Sequence, residues 1–384
     1  MTSRSMHVVI VGAGIVGAAA AWRLASAGAR VTVLEAIAPA AGATGAADGA
    51  ISVATKSPGR MMRLAQAARD LYGRLAEEGP LQGLFIERPT LQFARTQDEV
   101  DVLAQHARDL AEAGEPVHPL TRAELEHLVP GIGASVHSGL AVPRDGLAIG
   151  FEVTARLLAQ PGITVRRNAS AQRLLIEGGR VCGVALASGP VSADRVLVAA
   201  GLGSTALLDL PEALTPRKGQ MIVTDRAVSG RPAICGLLSS AAYLIGKRAA
   251  AHVPVSIGLT IDPLRTGQFL IGGTREEGRE DRTTDARLVA AILAQAIDVY
   301  PPLAHRRVVR TFAGVRTASR DGLPIVGRHP AWDGVVVATG FEGDGICLGP
   351  LMGFAVADLL AEREPSVDLA PFSPARLLAE RVRA

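Results

Sequence analysis

The chain has 384 residues, 48% of them hydrophobic, and its 40 basic and 37 acidic side chains leave a net charge of +3. That length supports two domains with a sizeable core, and the apolar content excludes a disordered chain. So small a charge gives no ground for a nucleic-acid partner, and three well-separated cysteines (Cys182, Cys235, Cys347) exclude a disulfide framework or a zinc or iron–sulfur site within this chain. No metal is expected. A reducing, cytoplasmic setting fits. The apolar stretch Val8–Trp22, which follows Arg4 and His7, is too short to cross a bilayer, so no membrane span is expected.

In chain order, the first element is a strand, His7-Val-Val-Ile-Val. It runs into Gly12-Ala-Gly-Ile-Val-Gly17, then an alanine-rich helix, then a second strand, Arg30-Val-Thr-Val-Leu, ending in Glu35. This is G-x-G-x-x-G in the strand–turn–helix context that binds dinucleotides. Gly12 makes the turn, Gly14 leaves the pyrophosphate unobstructed, and Gly17 lets the helix approach the sheet. The N–H groups of Ala13, Ile15 and Val16 face the phosphates at the helix N-terminus. Glu35 accepts from the adenosine ribose hydroxyls and disfavours a 2′-phosphate, with Ala36 beside it. The small-residue loop 41–49 carries Ala43, Thr44, Ala47 and Gly49, whose backbone can approach a bulky ligand.

Residues 58–79 and 97–114 have helical periodicity with charges on one side. They are broken by Gly79-Pro80 and Gly114-Glu115-Pro116, and read as surface helices over a sheet. Residues 180–201 read as three short strands with a Ser-Gly-Pro turn, the last running into Ala200-Gly201 and returning the chain to the first sheet; Ala171 is a further candidate cofactor contact. Residues 217–224, 233–245, 253–260 and 267–273 read as strands of one antiparallel sheet, and 285–299 as a helix stopped by Pro301-Pro302. Near the end, Val335-Val-Val-Ala is a strand, Gly340-Phe-Glu-Gly-Asp-Gly-Ile-Cys347 a glycine loop, and the following residues to 360 a helix. The predicted fold is α/β: a Rossmann-like nucleotide domain (1–55, 140–216 and 310–384) interrupted by a second, antiparallel-sheet substrate domain (56–139 and 217–309). Ligand is expected between them.

Gly12–Gly17, Lys218-Gly-Gln220, Ala313-Gly-Val-Arg-Thr-Ala-Ser-Arg-Asp-Gly-Leu-Pro-Ile-Val-Gly327 and the strand–loop–helix at 335–360 occur in one order along the chain. Together they resemble the D-amino-acid oxidase, glycine oxidase and sarcosine oxidase family of FAD flavoproteins over nearly the whole length. Within it, Gly340–Ile346 and residues 272–284 are most similar to the beta subunits of opine oxidases, D-hydroxyproline dehydrogenases and hydrogen cyanide synthase. Glycine oxidases tend to carry a basic residue where this loop has Glu342 or its neighbours. The chain departs from the family at Arg316-Thr317, where Arg-Pro is usual, and at Ser319-Arg320-Asp321, where Thr-Pro-Asp is usual.

The resemblance implies FAD and an enzyme that oxidises a C–N bond by passing hydride to flavin N5. Substrates of opine, proline or hydroxyproline, or glycine type are implied. No cysteine lies near Arg316, where sarcosine oxidases attach flavin covalently, so noncovalent FAD is expected. Arg316 is the candidate carboxylate clamp, since a guanidinium binds carboxylate through two parallel bonds. Tyr243 matches a substrate-facing tyrosine. The loop from Gly340 through Gly343, Gly345 and Ile346 lies at the flavin's pyrimidine end, with Asp344 as helix N-cap and Glu342 facing the substrate. Lys218 and Lys247 read as solvated. A partner subunit carrying further redox centres is the first expectation for the assembly. A stand-alone oxidase forming hydrogen peroxide is the alternative, and a non-catalytic flavin-binding subunit a third class.

Overall fold

The structure, a computed structural model, describes residues 5–210, 212–226, 234–248 and 254–379. A six-stranded sheet runs in the order Ile325–Arg328, Val335–Thr339, Arg195–Val198, His7–Val11, Arg30–Leu34 and Ile163–Arg166. All neighbours are parallel except the first pair. His7–Val11 and Val335–Thr339 are buried on both faces, which is why both read as unbroken apolar runs. Helices Ile15–Ser26 and Gly345–Leu360 pack closely together beside the sheet, where a Cβ at Gly353 would come within 2.7 Å of Ala19 Cβ. Trp22 and Phe354 stack at 5.5 Å between them. The segment Glu342–Leu360 is long and apolar enough to cross a membrane, but 78% of its most apolar window is buried inside the protein, as a core helix would be.

The second large sheet has eight strands: Val308–Ser319, Leu214–Thr224, Phe269–Glu277, Val255–Pro263, Leu237–Ser240, Thr90–Ala94, Ser138–Val142 and His118–Leu120. It departs from the predicted all-antiparallel sheet at one junction, where Leu237–Ser240 runs parallel to Thr90–Ala94. Three of its strands, Ser138–Val142, Leu214–Thr224 and Val308–Ser319, come partly from stretches assigned by sequence to the nucleotide part. The predicted helices are present as Arg60–Glu77, Gln97–Glu112 and Ala286–Val299. Three short strands, Ala171–Glu177, Arg180–Leu186 and Gly189–Ser192, form a separate antiparallel meander before the chain re-enters the first sheet.

Residues 233–245 do not form one strand. Leu237–Ser240 is followed at once by helix Ala241–Arg248, and residue 233 lies outside the described residues, as does residue 253 of the next predicted strand. Ser240 Oγ accepts the Ala242 N–H at 3.1 Å, a local turn that starts the helix where the apolar run alone suggested continued extension. Tyr243 therefore stands on a helix, not on a strand.

Candidate functional site

A cleft of about 420 Å³ opens at the carboxyl ends of four parallel strands. Its walls include Val11–Gly12, Leu34–Glu35, Ala199–Gly201 and Ala338–Gly340, the place where open α/β sheets bind ligands. Gly12 has φ +107°, and a Cβ there would strike Ala199 O, so the turn needs glycine twice over. Gly14 is the N-cap of the first helix, with no side-chain cap bond. Thr44 Oγ1 takes the Ile15 N–H at 3.1 Å, which ties loop 41–47 to that turn. The Glu35 carboxylate accepts from Ala13 N and Ile37 N, each at 2.9 Å, and so holds the ends of both strands in register with the turn.

Most residues singled out in the sequence meet here. Gly12, Gly14, Ile15, Val16, Glu35, Ala36, Ala43, Thr44 and Ala47 line one end, with Ala171, Ala200 and Gly201 beside them; Tyr243, Arg316, Gly340, Glu342, Gly343, Gly345 and Ile346 line the other. Four do not reach the cleft. Ala13 is buried and serves Glu35 through its N–H. A Cβ at Gly17 would strike Gly12 O, so Gly17 serves packing. Gly49 lies behind the wall, where a Cβ would come within 2.8 Å of Ala148 O. Asp344 occupies the helix N-cap position but makes no capping bond; its carboxylate lies 2.9 Å from Lys56 Nζ instead.

Arg316 lies across Gly219, at which a Cβ would be 2.6 Å from Nη1, so the glycine of Lys-Gly-Gln is the space that the guanidinium occupies. Its Nη1 reaches Thr274 O at 3.3 Å. Strand alternation puts Arg217, Gly219 and Met221 toward the cleft, and Lys218 and Gln220 on the opposite face. Lys218 is therefore not solvated. It is 2% exposed and bonds Asp281 Oδ1 at 2.7 Å, with Glu276 at 3.9 Å. The Lys247 side chain lies outside the described residues.

Glu342 lines the cleft with its carboxylate already paired. Its Oε1 lies 2.9 Å from Arg217 Nη1 and 3.8 Å from Arg275 Nη2. Burial alone would raise this carboxyl; Arg275 and Arg316 beside it, with the Arg217 bond, hold it below the usual carboxylate range. Arg217 is shared with Glu277 at 2.6 Å. Sequence reading missed Arg217, Arg275 and Lys56, since Glu342 and Asp344, which they pair with, lie far along the chain. Burial works against the Lys56 charge, but its surroundings, Asp344 foremost among them, together outweigh it and its pKa is raised. The neighbouring Cys347 thiol is pushed up to about 12 by burial, so it stays neutral and unreactive.

The family described as DAO, FAD dependent oxidoreductase, matches residues 7–359. The chain belongs to this family of FAD-dependent oxidoreductases. The glycine oxidase of Geobacillus kaustophilus is 31% identical over 398 aligned positions, covering 98% of each chain, and that of Pseudomonas aeruginosa is 32% identical, covering 97% of this chain and 99% of its own. The crystal structure of the Geobacillus enzyme superimposes with a TM-score of 0.85 at 28% identity, covering 96% of this chain and 98% of that one. L-proline dehydrogenase from P. horikoshii shares the fold, with a TM-score of 0.85 at 22% identity over 98% and 99% of the two chains. FAD fits the cleft: a glycine turn and uncapped helix start stand at one end, a terminal acid on the second strand, and room for a ring system beside Arg316 at the other.

Proposed function

We propose that this enzyme oxidises the C–N bond of a small amino acid or amine, with the residues of the cleft in the following roles. The observation that carries the reading is that the dinucleotide turn and the Arg316 guanidinium line one cleft. Noncovalent FAD bound there supplies the hydride acceptor at N5. Gly12, Gly14, Glu35 and loop 41–47 hold its nucleotide half; Gly340, Gly343, Gly345 and Ile346 present backbone to its ring. Arg316 clamps the substrate carboxylate, and Tyr243 closes the same end. Holding the substrate in one orientation supplies much of the rate advantage. Glu342 takes no part in binding the amine; it balances Arg217 and Arg275. The three arginines of this cluster, Arg217, Arg275 and Arg316, outnumber Glu277 and Glu342 by one unit of charge. That surplus matches a single substrate carboxylate.

The domain division that accompanies this reading assigns 1–55, 140–216 and 310–384 to FAD and 56–139 and 217–309 to substrate. The six-stranded sheet supports the first group; the strands of the second sheet that fall in 217–309 support the other. For assembly, the stand-alone oxidase forming hydrogen peroxide is favoured over a beta subunit of a dehydrogenase complex, because the glycine oxidases match from end to end.

Anaerobic bleaching of the flavin by glycine, sarcosine, D- and L-proline, hydroxyproline and opines tests the substrate class. If none of them bleaches it, C–N oxidation of small amino acids is wrong. With the best substrate, peroxide should form in air as fast as an artificial dye is reduced. Dye reduction without peroxide would return the subunit reading.

A further inference from the structure

Two arginines are the only basic side chains among the described residues lining the cleft, Arg316 and Arg282. Arg316 stands at the ring end, beside Thr274 and Gly343. Arg282 stands at the other, on segment 278–285, which no part of the mechanism above uses. Its Nη1 donates to Ala41 O at 2.9 Å. The preceding residue, Ala40, donates its N–H to Ala13 O at 3.0 Å, inside the glycine turn. Two hydrogen bonds thus tie the Arg282 guanidinium to the start of the first helix.

The segment is anchored from below. Asp281, next to Arg282, receives the buried Lys218 Nζ at 2.7 Å and the Thr283 N–H at 3.2 Å. At the far end of the segment, the Asp285 N–H donates to the buried Gln220 Oε1 at 2.7 Å. Arg282 itself is exposed on the cleft side. An arginine held over a helix N-terminus, at the rim of a cleft that takes a dinucleotide, is placed to meet phosphate oxygens with a planar pair of donors.

From this geometry we infer that Arg282 binds the pyrophosphate of FAD, with segment 278–285 as the strap that carries it across the cleft. The inference rests on the family's use of FAD. A dinucleotide brings two negative charges to the turn. Helix N–H groups offer only partial positive charge, and the one other acid-balancing cation in the cleft wall is committed to the opposite end.

The test uses the full chain stripped of flavin and titrated with FAD or with riboflavin, which has no phosphate. Arg282→Gln keeps a donor for Ala41 O and removes the charge. It should weaken FAD about tenfold, as for loss of one charge-assisted bond, and leave riboflavin unchanged. Arg282→Lys should stay within about threefold of wild type. Added salt should weaken FAD binding more in wild type than in Arg282→Gln. Equal FAD affinity in Arg282→Gln overturns the inference. So does a parallel loss for FAD and riboflavin, which would make Arg282 only a brace for the Ala41 turn, or a tenfold loss in Arg282→Lys. A wild-type chain that takes up riboflavin but no FAD would remove the flavin dinucleotide beneath the inference as well.

Discussion

Arg217 Nη1 reaches Glu342 Oε1 at 2.9 Å, joining the middle of one long strand to the glycine loop that ends at the core helix. Glu342 sits at φ +49°, an uncommon conformation for a side chain of this type, held there by the arginines around it. The acid expected to face a substrate amine is ion-paired with Arg217 and Arg275.

Glu342→Gln removes that counter-charge and leaves two arginines near Arg316 less compensated. KM for a monocarboxylic substrate should fall a few-fold, with a lower melting temperature. A rise in KM confined to basic substrates would restore Glu342 to the amine side.

Arg316→Ala should lower kcat/KM by about 3 kcal/mol, roughly a hundredfold, through loss of a bidentate charged contact in a closed site. The flavin spectrum should survive. Near-normal kcat/KM would take Arg316 out of the substrate pocket.

Lys56 and Asp344 form a partly buried ion pair at the start of helix Gly345–Leu360, with Lys56 4% exposed and Asp344 13%. Lys56→Met should cost about 3 kcal/mol in urea unfolding, because it takes the cation from a largely buried carboxylate. The double variant with Asp344→Asn should recover much of that loss. A single variant less than about 1 kcal/mol below wild type would show that the pair is not what holds the helix start.

The Asp281 carboxyl is held below its ordinary range first by Lys218, then by Thr283 and Arg279. Its folded pKa lies below the unfolded one, so the stability it lends is fully present above about pH 4 and is lost only as pH falls through the depressed value. Wild type should therefore release FAD no faster at pH 5 than at pH 7. Asp281→Asn should release it faster at both. A wild-type release rate that climbs between pH 7 and 5 would place the controlling titration elsewhere.

What the sequence made legible was local. Gly12, Gly14 and Glu35 could be read because a turn, a helix start and a strand end are set by neighbours in the chain, and all three lie at the cleft. Arg316 was reached through resemblance, and it lies in the same cleft. The errors share one cause, that partners distant in sequence override local pattern. Lys218 looked solvated, yet it is buried against Asp281, 63 residues on. Asp344 sits where an N-cap should, but Lys56 takes its carboxylate. Tyr243 looked like part of a strand because its apolar neighbours carry no period, and Ser240 turned the chain into a helix.

The six-stranded sheet draws its inner strands from opposite parts of the chain: His7–Val11 pairs with Arg195–Val198, which pairs with Val335–Thr339. During synthesis the glycine turn leaves the ribosome early, but the strand and loop that complete the opposite wall of its cleft emerge more than 300 residues later. At roughly 5–20 residues per second, the first strand waits tens of seconds for its last partners. The nascent chain must pass that interval without a closed cofactor site, so flavin loading waits for the strand and loop at 335–346.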